Sequence, residues 1–330
     1  MRRRDFIAAI GGMAAAWPVG ARGQQDLRVR RVGVLMGLAE AEPEGRARIE
    51  AFRQGLTDLG WVEGRNLHLD VRWAGLDVQR QQSYARDLVA MGPEVILSGT
   101  TTTTGALRNE TQRIPIVFVG LQDPVVNGIV SNLARPEANV TGFTGYEYSM
   151  AGKWLSLLKD MAPRLTRVAL LFNPDTAPFA PLYLRVGQEA GERLSLEVTG
   201  AGVREAAGIE PAIAALAGAL DGGVLVFPDA FNNANRATTI ALAAKYRVPA
   251  IYYDRFFVTE GGLISYGMEL RLQYRDSAAY VDRILRGAKV ADLPVKFATK
   301  FGLAINLKTA KALGLDVSQQ LLLLADEVIE

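Results

Sequence analysis

Cysteine is absent from the 330 residues, which excludes a disulfide framework, a thiolate metal site and a thiol nucleophile together. Histidine occurs once, as His68 in the alternating run Asn66-Leu67-His68-Leu69-Asp70-Val71. A histidine-rich metal site is therefore ruled out, and this residue reads as a position on a half-exposed strand. Neither Gly-x4-Gly-Lys-Ser/Thr nor a Gly-x-Gly-x-x-Gly after the first apolar strand is present, so nucleotide cofactors lack their usual cradle. No catalytic residue, cofactor or metal is expected. No apolar run reaches the roughly 20 residues of a membrane-spanning helix.

What is present is a globular composition, 49% hydrophobic and 22% charged, in a chain long enough to divide into two lobes. The first residues read as a signal peptide over residues 1–23: Arg2, Arg3 and Arg4, an apolar region from Phe6 to Trp17, then the small-x-small pattern Ala21-Arg22-Gly23. Arg3-Arg4-Asp5-Phe6-Ile7 resembles the twin-arginine export pattern, so the mature chain is expected in the periplasm. Removing the leader takes away four arginines and Asp5, and the formal charge falls from +2 to −1. A near-neutral mature chain has no electrostatic footprint for nucleic acid.

From Arg31 onward, short apolar strands alternate with amphipathic helices. Val32–Met36 precedes a helix over Gly45–Gly60 with Ile49, Phe52, Leu56 and Leu59 at helical spacing; Leu67–Trp73, Val78–Met91, Val95–Leu97 and Ile114–Val119 continue the series. Between strand and helix lies Ser98-Gly99 followed by Thr100–Thr104, read as a tight turn before a helix over Ala106–Arg113. A second series has strands at Arg167–Phe172, Leu196–Thr199, Gly223–Phe227 and Pro249–Tyr253. Its helices are expected at Lys153–Leu165, Pro181–Leu194, Glu205–Leu220 and Asn232–Arg247. A long helix over Leu270–Leu285, an extended run over Phe297–Leu307 and helices over Lys308–Leu313 and Gln319–Ile329 follow. Repeated βαβ units imply parallel sheets covered on both faces. The expected fold is therefore α/β, with two Rossmann-like lobes and a cleft between them.

Ligands of open parallel sheets sit at the carboxyl ends of the strands. Here those ends are polar or glycine-rich: Gly37, Gly99 with the threonines, Gln122-Asp123, Asn173-Pro174-Asp175, Pro228-Asp229 and Asp254. The unpaired N–H groups at a helix start, together with the hydroxyls of Thr100, Thr101 and Thr102, suit a carboxylate or phosphate. Plain N-capping is the competing role for the same threonines. Tyr146 and Tyr252 stand next to crossings or strand tips, where a ring can flank a solute.

Longer motifs carry a family resemblance: Ile114-Pro-Ile-Val-Phe, Asp123-Pro-Val, Leu133-Ala-Arg-Pro136, Asn139-Val-Thr-Gly142, Asn173-Pro174, Pro249-Ala-Ile-Tyr252, Gly261-Gly-Leu-Ile-Ser-Tyr-Gly267, Tyr280-Val-Asp-Arg-Ile-Leu285 and Ile305-Asn-Leu-Lys-Thr-Ala310. With these the chain resembles the TrpX-like ABC-transporter substrate-binding proteins along essentially all of the mature sequence. The resemblance implies a type I periplasmic binding fold with three crossovers. On that fold the lobes are expected over 24–143 plus about 266–292 and over 144–265 plus about 293–330. It also implies a monomeric receptor, not an enzyme, that closes on a small solute and presents it to an ABC permease. Ligand contacts would fall at Thr100–Thr102, Asp123, Asn173 and Asp229; Gly37, Gln122, Tyr146 and Tyr252 complete the candidate set. Gly37-Leu38-Ala39 lacks the serine the family pattern carries after the first strand. The expected solute bears a carboxylate, as an amino acid or an aromatic or organic acid. A sensing receptor for a membrane signalling protein and an exported enzyme are the alternatives.

Overall fold

The computed structural model describes residues 29–330 except 76, 137 and 219–220, so the expected leader over residues 1–23 lies outside the described residues. The first lobe is laid down as β1 (Arg30–Met36), α1 (Pro43–Asp58), β2 (Leu67–Trp73), α2 (Val78–Ala90), β3 (Val95–Ser98), α3 (Thr101–Glu110), β4 (Ile116–Leu121) and β5 (Val140–Thr144). After a crossing come α4 (Met150–Met161), β6 (Arg167–Phe172), α5 (Ala180–Leu194), β7 (Glu197–Gly202), α6 (Ile209–Ala214), β8 (Gly222–Val226), α7 (Ala230–Ala234), α8 (Arg236–Lys245), β9 (Ala250–Tyr252), α9 (Arg255–Thr259) and β10 (Ile264–Met268). The chain closes with α10 (Leu270–Leu285), β11 (Lys296–Phe297), β12 (Phe301–Asn306), α11 (Leu307–Leu313), α12 (Gln319–Leu324) and β13 (Glu327–Ile329).

Two sheets result, ordered β11-β5-β4-β3-β1-β2 and β13-β12-β10-β9-β8-β6-β7. Among the described residues every strand pairing is parallel except β10 with β12. Strands such as β3 and β8, buried along their whole length, are apolar on both faces because helices cover both sides.

The late segments return to the first lobe because α10 packs on α1. Gly55 makes that contact possible: a Cβ there would lie 2.4 Å from the Arg275 carbonyl oxygen and 2.8 Å from Ala278 Cβ. Sheet membership marks where the chain passes between the lobes. β10 stays in the second sheet through Met268, and β11 pairs with β5 of the first sheet through Phe297. By sheet membership the chain leaves the second sheet at Glu269 and the first sheet over 298–300, beside the expected bounds at about 266 and about 293.

Three expectations are corrected. The helix expected over Glu205–Leu220 is a short 3-10 turn at Ala206–Gly208 followed by α6 alone; Pro211 has no N–H to continue a helix back through Ala207, so it sits in the first turn of α6. The helix expected over Asn232–Arg247 is split into α7 and α8 at Asn235, whose ψ of 17° departs from helical geometry. The leucine run that reads as a helix to Ile329 stops at Leu324. From there β13 adds a parallel edge to β12, anchored where Asp326 N–H donates to the Leu303 carbonyl at 2.8 Å and Asp326 Oδ2 accepts from Leu303 N–H at 2.8 Å.

Candidate ligand-binding site

The strand ends of both lobes converge on a cleft whose empty space, counted out through its open mouth to solvent, is about 790 Å³. On the first lobe, the five threonines are the beginning of α3 and not a turn before it. Thr100 is the N-cap, its Oγ1 accepting from Thr103 N–H at 3.2 Å while Thr103 Oγ1 accepts from Thr100 N–H at 3.0 Å. This reciprocal capping lets β-branched residues of modest helix propensity begin a helix.

The threonine run divides by role. Thr103 and Thr104 are buried and bonded to Ser98 Oγ at 2.9 and 2.8 Å, so they serve the fold. Thr100, Thr101 and Thr102 line the cleft, and the N–H groups of Thr101 and Thr102, at the first two helical positions, have no partner inside the helix. Gly37 belongs to the same wall: a Cβ there would lie 2.5 Å from Thr100 Cγ2, so only glycine lets the end of β1 approach the cap. Replacing Thr100 by alanine should cost about 1 kcal/mol of stability. Thr101→Val should keep the fold and weaken a carboxylate solute roughly 3- to 10-fold. Urea melts and titrations of both variants check this, and equal destabilisation by the two would remove Thr101 from the site.

On the opposite lobe, Asp229 is 8% exposed and caps α7. Its Oδ1 accepts from Asn232 N–H at 2.5 Å and its Oδ2 from Asn173 N–H at 2.9 Å. Burial nevertheless outweighs these bonds and pushes its pKa up to about 7. No arginine or lysine pairs with it among the described residues.

The floor is aromatic. Tyr146 lines the cleft, and its hydroxyl is already used: it donates to the Tyr253 carbonyl at 2.5 Å and accepts from Met268 N–H at 3.1 Å. Gln122 lines the cleft and orients that tyrosine, its Oε1 accepting from Tyr146 N–H at 2.9 Å and from the Tyr183 hydroxyl at 3.4 Å. Phe179, Tyr253, Leu38, Met268 and Leu270 add apolar surface.

Seven of the ten candidates thus share one cavity: Gly37, Thr100, Thr101, Thr102, Gln122, Tyr146 and Asp229. Three lie outside its lining. Asp123 has a φ of 32° and its Oδ1 accepts from Val126 N–H at 3.0 Å, the geometry of a turn. Asn173 is 4% exposed; its Oδ1 accepts from Asp175 N–H at 2.8 Å and its Nδ2 donates to the Arg204 carbonyl at 3.0 Å, so its reach toward the cleft is through the N–H that holds Asp229. Tyr252 is buried and stacks on Phe257 at 4.8 Å. Its neighbour Tyr253 lines the cleft instead, because adjacent side chains of an extended segment point to opposite faces.

Sequence reasoning missed Arg48. It is 8% exposed and lines the cleft. Its Nε donates to Glu44 Oε1 at 3.2 Å, and its Nη2 lies 3.6 Å from Asp254 Oδ2 across the lobes. Burial pushes Asp254 up to about 7, with the charge of Arg48 pulling the other way. The signal was there: Arg48 adjoins Ile49 and precedes Phe52 by four, a cation on the apolar stripe of α1. A second interlobe pair, Glu42 with Arg236 at 3.4 Å, also crosses from α1's N-cap residue to α8.

A family model described as ABC transporter substrate binding protein matches residues 41–329. The chain belongs to that family. A tyrosine-binding protein of Clostridioides difficile (strain R20291) is 27% identical to this substrate-binding protein over 266 residues, covering 80% of this chain and 75% of the relative. A conserved domain protein of Vibrio cholerae superposes with a TM-score of 0.83 at 26% identity, over 91% of this chain and all of that one. An ABC domain from Streptococcus pneumonia, solved in complex with L-Trp, gives the same TM-score at 21% identity, again over 91% and 100% of the two chains. The two parallel-sheet lobes are thus those of the periplasmic binding proteins. Members of the family bind small molecules for ABC transporters outside the cytoplasm and are not enzymes. Among the described residues of this substrate-binding protein, no helix is long and apolar enough to cross a membrane, and no three His, Cys, Asp or Glu side chains are grouped to hold a metal ion.

Proposed function

We propose that this substrate-binding protein captures an amino acid with an apolar, aromatic side chain in its interlobe cleft and delivers it, as a monomer, to an ABC permease for import. The observation that carries the reading is the pairing of opposite electrostatic ends in one cavity. The N–H groups and hydroxyls at the start of α3 suit a carboxylate. Asp229, buried without a cation of its own, suits an ammonium. Tyr146, Phe179 and Tyr253 line the same cleft and suit a flat aromatic side chain. The names of the relatives, one a tyrosine-binding protein and one a complex with L-Trp, support the same chemistry. Delivery to the periplasm would use the twin-arginine pattern at Arg3-Arg4, and N-terminal sequencing of the exported protein would locate the cleavage.

A solute that binds the folded state raises the melting temperature by mass action, by about 2.7 kcal/mol of added stability at a hundred times Kd. A thermal-shift screen across amino acids, aromatic acids and neutral sugars should therefore register aromatic amino acids. Shifts with neutral sugars and none with any carboxylate would overturn the reading.

A further inference from the structure

Arg48 is the one cation on the lining of the cleft among the described residues, and its surroundings leave its charge and its donors incompletely matched. A guanidinium carries five N–H donors. The hydrogen bond that Arg48 makes among the described residues is the one from Nε to Glu44 Oε1 at 3.2 Å. Asp254 at 3.6 Å lies within ion-pair range of Nη2 but beyond a hydrogen bond. Both partners are also shared. Arg271 of α10 grips Glu44, with its Nη2 at 2.6 Å from Oε2 and its Nε at 3.3 Å from Oε1. Asp254 uses Oδ1 to cap α9 at Phe256 N–H, 3.3 Å away. Arg48 as a residue is only 8% exposed, so unmet guanidinium donors there are costly, and the oxygen that meets them must come from the cavity.

We propose that Arg48 is a ligand contact, its Nη groups bonding a carboxylate oxygen of the solute so that the start of α3 and the guanidinium share the anionic group. This rests on the carboxylate reading above and adds to it a full charge, where the helix start supplies only about half of one. Arg48 and the threonines belong to the first lobe, so the anion is received there. Asp254 reaches the same guanidinium from the second lobe, which makes its approach part of closure.

The test compares each acid with its amide, L-tyrosine with L-tyrosinamide and L-tryptophan with L-tryptophanamide, by calorimetric titration of the parent, Arg48→Gln, Arg48→Lys and Asp254→Asn. The parent should prefer the acids. Arg48→Gln should weaken the acids roughly 10- to 100-fold and the amides less than about 3-fold, with Arg48→Lys recovering part of the loss. Asp254→Asn, which acts through closure, should weaken acid and amide alike. If Arg48→Gln weakens both alike, or neither, the assignment is overturned while the carboxylate reading stands. If the parent binds acid and amide equally, or binds neither, the carboxylate reading falls and takes this assignment with it. Arg48→Lys keeps the comparison decisive should the glutamine variant fail to fold.

Discussion

Gly267→Ala is expected to lower the melting temperature by roughly 5–10 °C, a loss of about 3 kcal/mol in a protein of this size. A Cβ at this position would sit 1.8 Å from the Tyr253 carbonyl oxygen and 2.9 Å from the Tyr146 hydroxyl. The first of these is backbone and cannot yield without displacing the end of β10 from β9, which pair at Ile264 with Ile251 and Ser265 with Tyr252. The same carbonyl accepts the Tyr146 hydroxyl at 2.5 Å, so relief of the clash would break that bond as well. Gly105→Ala is the control. It lies within α3 with nothing inside 4 Å of a new Cβ, and should raise stability by about 0.5–1 kcal/mol. Urea melts of the two variants check the pair; a Gly267→Ala protein as stable as the parent would mean that the crossing is loosely built.

Asp229→Asn is expected to weaken an amino acid roughly 10- to 100-fold, because it removes the charge that answers the ammonium, and to leave a plain carboxylate such as phenylacetate nearly unaffected. The variant should also change how stability depends on pH. In the folded protein burial holds Asp229 at about 7, against an ordinary value of 3.8. Below about pH 4 both folded and unfolded forms carry the proton, and the group contributes nothing to the dependence. As pH rises from about 4 to about 7, the unfolded chain ionises while the folded one holds its proton, so the unfolded state is favoured; above that the effect levels off. The stability of the parent relative to Asp229→Asn should therefore fall by up to about 4 kcal/mol between pH 4 and pH 8. Denaturant melts of both proteins at pH 4, 6 and 8 measure the gap, and a gap constant with pH would show that Asp229 is ionised throughout. An ammonium solute, by holding the ionised form, should bind more tightly as pH rises toward 7.

The alternation of strands and helices was legible because parallel strands buried on both faces leave short unbroken apolar runs, as in Val95-Ile96-Leu97 and Gly223-Val224-Leu225-Val226. The rule that ligands meet strand ends picked out Gly37, Thr100, Gln122 and Asp229. It failed where the phase of a side chain decides. Tyr252 and Tyr253 are alike in sequence, and only the pairing of β9 with β8 and β10 says which ring faces the cleft. It failed again at Arg48, a cation on the apolar stripe of α1 whose interlobe partner, Asp254 at the cap of α9, lies about two hundred residues later in the chain. The beginning of α3 was hidden for a local reason. Five threonines argue against a helix by propensity, and the reciprocal cap between Thr100 and Thr103 that overrides this is a matter of geometry.

The phenol of Tyr146 holds the Tyr253 carbonyl and the Met268 amide at one point, beside two of the three segments that join the lobes. A rivet so placed ties the first crossing to the end of β10, just before the second. The start of α3 and Asp229 line the same cleft from opposite lobes, so their separation is set by how the lobes sit on each other. With the proposed amino acid in the cleft, the protein would act as a caliper: the aromatic side chain would register against Tyr146, and the two lobes would gauge how far apart its carboxylate and ammonium lie.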